Sequence, residues 1–199
     1  MAITGYKEII NKLIDFAVIN GAERELVRAL KPGRIVIPKQ WVSWKCRYGC
    51  RNFGKKLCCP PYAPTPRETR EFLTEYRKAL LIGFKGGSDA ENKMKHHRDL
   101  GHALVKIERE AFLSGYERAF VLSAGSCYFC DKCIVQDLPL DTPIEAARAR
   151  CRHHTLMRPS LEALGIDVFS TVKNAGLEIE VISENNTHKV KHFGILLIE

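Results

Sequence analysis

"KALLIGF" at residues 78–84 is a continuous apolar run, bounded by Lys78 on one side and by Gly86-Gly87 soon after it. It is too short to cross a membrane and short for a helix, so it reads as a buried strand. Ser88 with Glu91 then forms a capping-box signature. Leu100, Leu104, Ile107 and Ala111 fall on one helical face beyond it, which predicts a long helix ending near Gly115. "RAFVLS" at 118–123 reads as a second buried strand. Strand, helix and strand in succession predict a right-handed crossover and a parallel pair.

Upstream, Tyr6, Ile9, Ile10, Leu13, Ile14 and Ala17 follow helical spacing, with Thr4 as the expected cap and Asn20-Gly21 as the stop. A short helix is expected over 22–30, ended by Pro32 and Gly33, and "RIVI" at 34–37 reads as a strand. Thr65, Pro66 and Glu68 make a further capping box, and Thr142, Pro143 and Glu145 repeat the pattern. Pro159 opens a short helix closed by Gly165. Asp167 caps another, along which Val168, Val172 and Ala175 share a face before Gly176. "LEIEVIS" (177–183) and "HKVKHFGILLIE" (188–199), separated by "ENNT", predict a C-terminal β-hairpin. The expected fold class is α/β: a small mixed, partly parallel sheet with flanking helices and cysteine-rich metal-binding loops. It is expected as a single domain over 1–199, with cysteine-rich segments at 45–66 and 126–160.

The chain has 199 residues, 45% of them hydrophobic and 27% charged, which suits one sizeable core. The N-terminal stretch lacks the apolar core of a signal peptide and no run is long enough to span a bilayer, so the expectation is a cytoplasmic protein with no membrane partner. A reducing compartment disfavours disulfides, which directs the eight cysteines toward metal binding or redox chemistry. The formal charge is +8, yet the 31 lysines and arginines are dispersed without a basic block, so nucleic acid is not the expected partner. Two 4Fe-4S clusters, each held by four thiolates, would in any case lower that charge to about +4.

The sharpest chemical signal is "SCYFCDKCIVQ" at 126–136, just beyond the second buried strand. Cys127, Cys130 and Cys133 are separated by two residues each, a spacing that lets successive thiolates wrap one polynuclear core. Cys151 is the expected fourth ligand of a 4Fe-4S cluster. Zinc is the alternative, although structural zinc sites more often pair C-x2-C units from opposing segments. Cys151 lies too far along, and is followed by Arg152 instead of proline, for a ferredoxin repeat.

The second group, "CRYGCRNFGKKLCCPPY", holds Cys46, Cys50, Cys58 and Cys59. Neighbouring side chains in extended chain point opposite ways, so Cys58 and Cys59 do not both reach one ion. Cys59, fixed by Pro60-Pro61, is the expected ligand and Cys58 the buried or reactive one. Cys46, Cys50 and Cys59 would leave an open coordination position for a substrate, for sulfide or for another residue; full ligation through Cys58 or a histidine is the competing arrangement. His96, His97 and His102 lie on the long helix, His97 on its apolar face and the others toward solvent. His153 and His154 can tune a centre, and Arg152 and Arg158 can donate hydrogen bonds to its sulfurs. Phosphate-loop, dinucleotide, GxSxG, HExxH and radical-SAM spacings are all missing from the sequence.

The segments "KCRYGC...CCPPYAPTP", "SCYFCDKC" and "CRHHTLMRPSLEALGIDVFSTVKNAG" together resemble an uncharacterised family of cysteine-rich, predicted metal-binding proteins of anaerobic bacteria and methanogenic archaea. The resemblance implies Cys46, Cys50, Cys59, Cys127, Cys130, Cys133 and Cys151 as metal ligands, with a family cysteine directly before the double proline. "CRHH" departs from a more usual "CRHP". The resemblance implies no reaction. The expected function is a redox or electron-transfer role with a redox partner protein. The alternatives are an iron-sulfur enzyme acting on a small molecule or sulfur species at the Cys46/Cys50/Cys59 site, and a zinc-stabilised nucleic-acid-binding module.

Overall fold

The computed structural model describes residues 2–86, 93–139 and 141–199. "KALLIGF" forms β2 (Ala79–Lys85), and its alternation divides the core between two faces. Leu80, Ile82 and Phe84 turn toward α1 (Ala2–Ile19) and α4 (Lys93–Leu113), meeting Leu13, Ala17, Leu100, Leu104 and Ile107. Ala79 and Leu81 turn the other way, toward Leu73 of α3 (Pro66–Leu73) and Val172 of α6 (Val168–Asn174). Period-two side-chain alternation therefore yields a sheet covered by helices on both faces.

The four strands are ordered β1-β2-β4-β3, and every neighbouring pair is antiparallel. β1 is Val27–Leu30, β3 is Phe120–Leu122 and β4 is Lys191–Leu197. The expected parallel pair is therefore corrected. β2 and β3 do run in the same direction, but β4 lies between them, with Leu81 opposite Ile195 and Val121 opposite Leu196. The C-terminal apolar run can take that slot because it is buried along most of its length, as an interior strand requires.

The same placement removes the C-terminal hairpin. Both edges of β4 are already paired, so 177–183 has no edge to join and forms no strand, and Glu184–Lys189 is a 3-10 turn. The expected helix over 22–30 is a 3-10 turn, Arg24–Leu26, running into β1, since pairing with β2 outweighs local periodicity. "RIVI" is no sheet strand either. The Val36 carbonyl accepts from the Asp167 N–H at 2.8 Å, and the Val36 N–H donates to Thr171 Oγ1 at 3.0 Å, so its backbone is satisfied by α6.

Local signals fare better. Thr65 caps α3 with a capping box: its hydroxyl accepts from the Glu68 N–H, and its own N–H donates to Glu68 Oε2 at 2.7 Å. Asp167 caps α6 through the Ser170 N–H at 3.1 Å. By contrast Thr142 does not cap α5 (Ile144–Ala149), which begins after Pro143, and Thr4 lies inside α1. The Ser88/Glu91 signature lies outside the described residues. Gly194 is required where α4 meets the sheet: a Cβ there would stand 2.8 Å from both δ-carbons of Leu104. No helix among the described residues is long and apolar enough to cross a membrane.

Candidate metal centre

The "WVSWKC" stretch is helical, α2 (Trp41–Gly49), with Cys50 at its C-cap. Cys46 and Cys50 are thus four apart across the helix end and share a face, which gives their spacing its meaning. Cys59 joins them from the following loop, and all three thiols line one cavity of about 1330 Å³. Trp41, Trp44, Tyr48 and Phe169 form much of its wall, and Trp44 and Tyr48 are 59% and 72% exposed.

At the end of β3 the chain turns through Gly125, whose φ of +85° suits glycine and whose missing Cβ leaves room for the His97 ring. The Cys127, Cys130 and Cys133 loop follows. Cys151 arrives just beyond α5, and the four thiols line a second, smaller cavity of about 180 Å³ with Lys56, Arg152 and His153. A parallel bridge between Ser123 and Ser160 ties the two chain segments together.

Cys58 and Cys59 lie in a turn and not in extended chain, so their sulfurs are neighbours instead of pointing opposite ways. Cys58 is 1% exposed and turns toward the second group, its sulfur accepting the Cys127 N–H at 3.1 Å. Cys59 turns toward the first, 3.6 Å from the Ser126 hydroxyl and 3.7 Å from the Cys58 sulfur. The Cys58 thiol is pushed well up, first by its hydrogen bond to Cys59 and then by burial. Cys59 is pushed down, because it receives that bond and the Ser126 hydroxyl, with the Lys56 charge adding to both against burial. Lys56 is itself buried, with its Nζ 4.8 Å from the centre of the Tyr128 ring.

Burial dominates at Cys46, Cys127 and Cys151. Cys46 is pushed up to about 11, with Cys50, Cys59 and Glu162 adding to the effect. Cys127 is also pushed up to about 11, and Cys151 is raised. Backbone N–H groups oppose this: Phe129 donates to Cys127 and His153 to Cys151. Thiols in such surroundings stay protonated until a metal replaces the proton. The donor set fits a thiophilic metal. Among the described residues, however, no three His, Cys, Asp or Glu side chains stand close enough, as placed, to hold a single ion. The sulfurs surround cavities without converging on a point.

Arg158 is not a donor to these sulfurs. It makes a two-bond pair with Glu108, Nε to Oε2 at 3.0 Å and Nη2 to Oε1 at 2.5 Å, and its Nη1 donates to the Thr155 and Met157 carbonyls. Arg152 does line the smaller cavity, and the His153 ring lies 5.6 Å from that of Phe129. His154 and His102 are exposed. Three contributors lack a motif of their own: Lys56, Ser126 and Glu162. Lys56 and Ser126 sit close to cysteines in the sequence, but Glu162 is brought in by the fold alone.

His96 is half-buried instead of solvent-facing, because His192 of β4 packs against it and His97, with ring centres 5.2 and 4.8 Å away. His96 Nε2 and His97 Nδ1 are buried without a hydrogen-bond partner among the described residues. Burial, reinforced by His97, His96 and Lys93, lowers His192 from its ordinary 6.5 to about 4. Its unfolded form therefore binds a proton at a higher pH than its folded form does. Stability should fall as pH drops from about 6.5 to about 4 and gain nothing further from this group above that window. Unfolding free energies of the parent and His192→Gln, from urea titrations, should diverge across the window by an amount on the order of 3 kcal/mol. Parallel curves would remove His192 as the cause.

A chain that gathers cysteine thiols around two adjoining cavities on an α/β scaffold belongs, by class, with the metal-binding proteins. A family model described as "Predicted metal-binding protein (DUF2284)" matches residues 28–198, and the chain belongs to that family. No curated protein and no solved structure matches it.

Proposed function

We propose that the chain is a cytoplasmic iron-sulfur redox protein with two centres, one held by Cys127, Cys130, Cys133 and Cys151 and one by Cys46, Cys50 and Cys59. The carrying observation is the division of these seven thiols between two adjoining cavities, with Cys58 between them hydrogen-bonded to Cys127. Three cysteines at two-residue spacing that line one cavity with a fourth suit a polynuclear core. A 4Fe-4S cluster bound there would supply one-electron transfer. The protein's own part is to shield the thiols from water and to hold their charge. The Phe129 and His153 N–H groups and the Lys56 ammonium stabilise thiolates at the four-cysteine cavity, and bonds of this kind set the potential of a centre. A redox protein is the partner implied.

A second reading, an iron-sulfur enzyme, is favoured by the cavity over Cys46, Cys50 and Cys59. It is large, aromatic-walled and open, as a small-molecule site would be. Anaerobic purification followed by metal, acid-labile sulfide and optical analysis tests both readings. Zinc without sulfide or visible absorption would sink them together. In EPR, Cys59→Ala and Cys151→Ala should each abolish a different signal. Loss of one common signal would mean that the two cysteine groups build one site. A small ligand that perturbs only the Cys59-dependent signal would select the enzyme.

A further inference from the structure

We propose that the exposed face of α2 is the docking site for an acidic protein partner. The partner's being a redox protein rests on the reading of this chain as one. Residues 31–67 hold nine lysines and arginines and no aspartate or glutamate, so this one stretch carries a charge larger than the formal +8 of the whole chain. Its cations are spaced, not consecutive, and it is the missing carboxylates that create the excess. Of the nine, only Arg67 makes an ion pair among the described residues. Lys45, Arg47, Arg51 and Lys55 are all exposed. The fold therefore leaves a positive face whose self-repulsion a negative surface would relieve.

The same face carries the side chains that an interface uses. Trp41, Trp44 and Tyr48 fall at i, i+3 and i+7 along α2, and each is at least 47% exposed. Lys45 Nζ lies 5.5 Å from the centre of the Trp41 ring, and the Arg47 guanidinium carbon 5.9 Å from that of Tyr48. Trp, Tyr and Arg are the residues that dominate binding at protein interfaces. Rings that already carry a cation, with Trp44 and Tyr48 tilted by 42° against each other, make poor platforms for stacked bases. A second copy of this face would bring like charge against like. An acidic protein answers both the cations and the rings. Seated there, it lies against the helix that carries Cys46 and ends at Cys50, beside the open cavity of their thiols. Glu162 and Asp167 also line that cavity, but neither forms a salt bridge to a cation of the face, and Asp167 is engaged as the cap of α6.

The test titrates the anaerobically purified protein with a plant-type ferredoxin, an acidic electron carrier, by calorimetry at low and high salt. Single-stranded DNA and phosphatidylserine vesicles are titrated beside it. Ferredoxin should bind, and bind more weakly as salt rises. Trp44→Ala, and Lys45→Glu with Arg47→Glu, should each weaken binding at least about tenfold. Lys106→Glu with Arg109→Glu makes the same change in net charge at exposed positions of α4 and should bind as the parent does. Matching urea unfolding curves show that each variant is folded. No binding at low salt, or equal weakening by the α4 pair, overturns the docking face. DNA or vesicle binding that the α2 variants abolish and that ferredoxin does not displace overturns the acidic protein as its occupant. Ferredoxin binding by a protein that purifies without metal and sulfide leaves the face standing and removes the redox reading. Metal and sulfide without ferredoxin binding removes the face alone.

Discussion

Stripping metal from the anaerobically purified protein is expected to unfold residues 45–66 and 126–160 while leaving the sheet intact. The sheet has two large clusters of its own, built on residues such as Leu80, Ile82, Leu104 and Ile107 on one face and Leu81, Ile166 and Ile195 on the other. The cysteine segments share a third and smaller cluster, in which Leu57, Val135, Ala147 and Met157 are the buried aliphatic side chains. Full burial of such a side chain contributes about 1.5–3 kcal/mol, less for alanine, whereas ordering each residue's backbone costs about 1–2 kcal/mol. Those few side chains cannot offset the ordering of two long loops that contain little regular structure. Metal binding is therefore expected to supply much of their folding energy, as it does in small metal-stabilised domains. Amide exchange should show the loss of protection confined to the two segments, with a fall in global stability of several kcal/mol. Unchanged protection in the metal-free protein would mean that the metal has no structural role.

Arg158→Ala should cost about 3–5 kcal/mol, the cost of stranding one partner of a buried pair. The Arg158 and Glu108 side chains are only 16% and 14% exposed. Glu108 Oε2 also accepts the Val121 N–H at 2.7 Å, so this carboxylate joins α4, β3 and the segment that follows Cys151. Removing the guanidinium leaves a buried charge and frees the Thr155 and Met157 carbonyls together. Arg158→Lys should recover little, because an ammonium cannot make the two-bond fork. The Glu108→Gln, Arg158→Met double variant should lie closer to the parent than Arg158→Ala does, since it removes both charges. Urea denaturation measures this difference. A double variant as unstable as Arg158→Ala would show that the loss comes from packing, not from the stranded charge.

The capping residues of α3 and α6 were legible because a cap is a bond between neighbours in sequence: Thr65 with Glu68, and Asp167 with Ser170. The strand identity of 78–84 and of the C-terminal run was legible from apolar runs, whereas the alternation expected of Cys58 and Cys59 is absent because the chain turns there and brings their sulfurs together. Strand order was not legible. Nothing local tells 191–197 to enter between β2 and β3, and that choice removed both the parallel pair and the hairpin. The partner of Arg158 is not legible either, because Glu108 lies fifty residues away on another helix.

The same division runs through the candidate centre. Residue type and spacing along the chain are enough to name the thiols, because the reach of a cysteine around a metal core is a property of a few consecutive residues. Their sorting into a small enclosed cavity and a broad aromatic one depends on α2, β3 and the Ser123–Ser160 bridge. So does the arrival of Lys56 beside Tyr128, of His192 beside His96 and His97, and of Glu162 in the cavity that Cys46 lines. Those neighbours are set by long-range packing, and charge and burial, the quantities that decide what a thiol can do, exist only once that packing has formed.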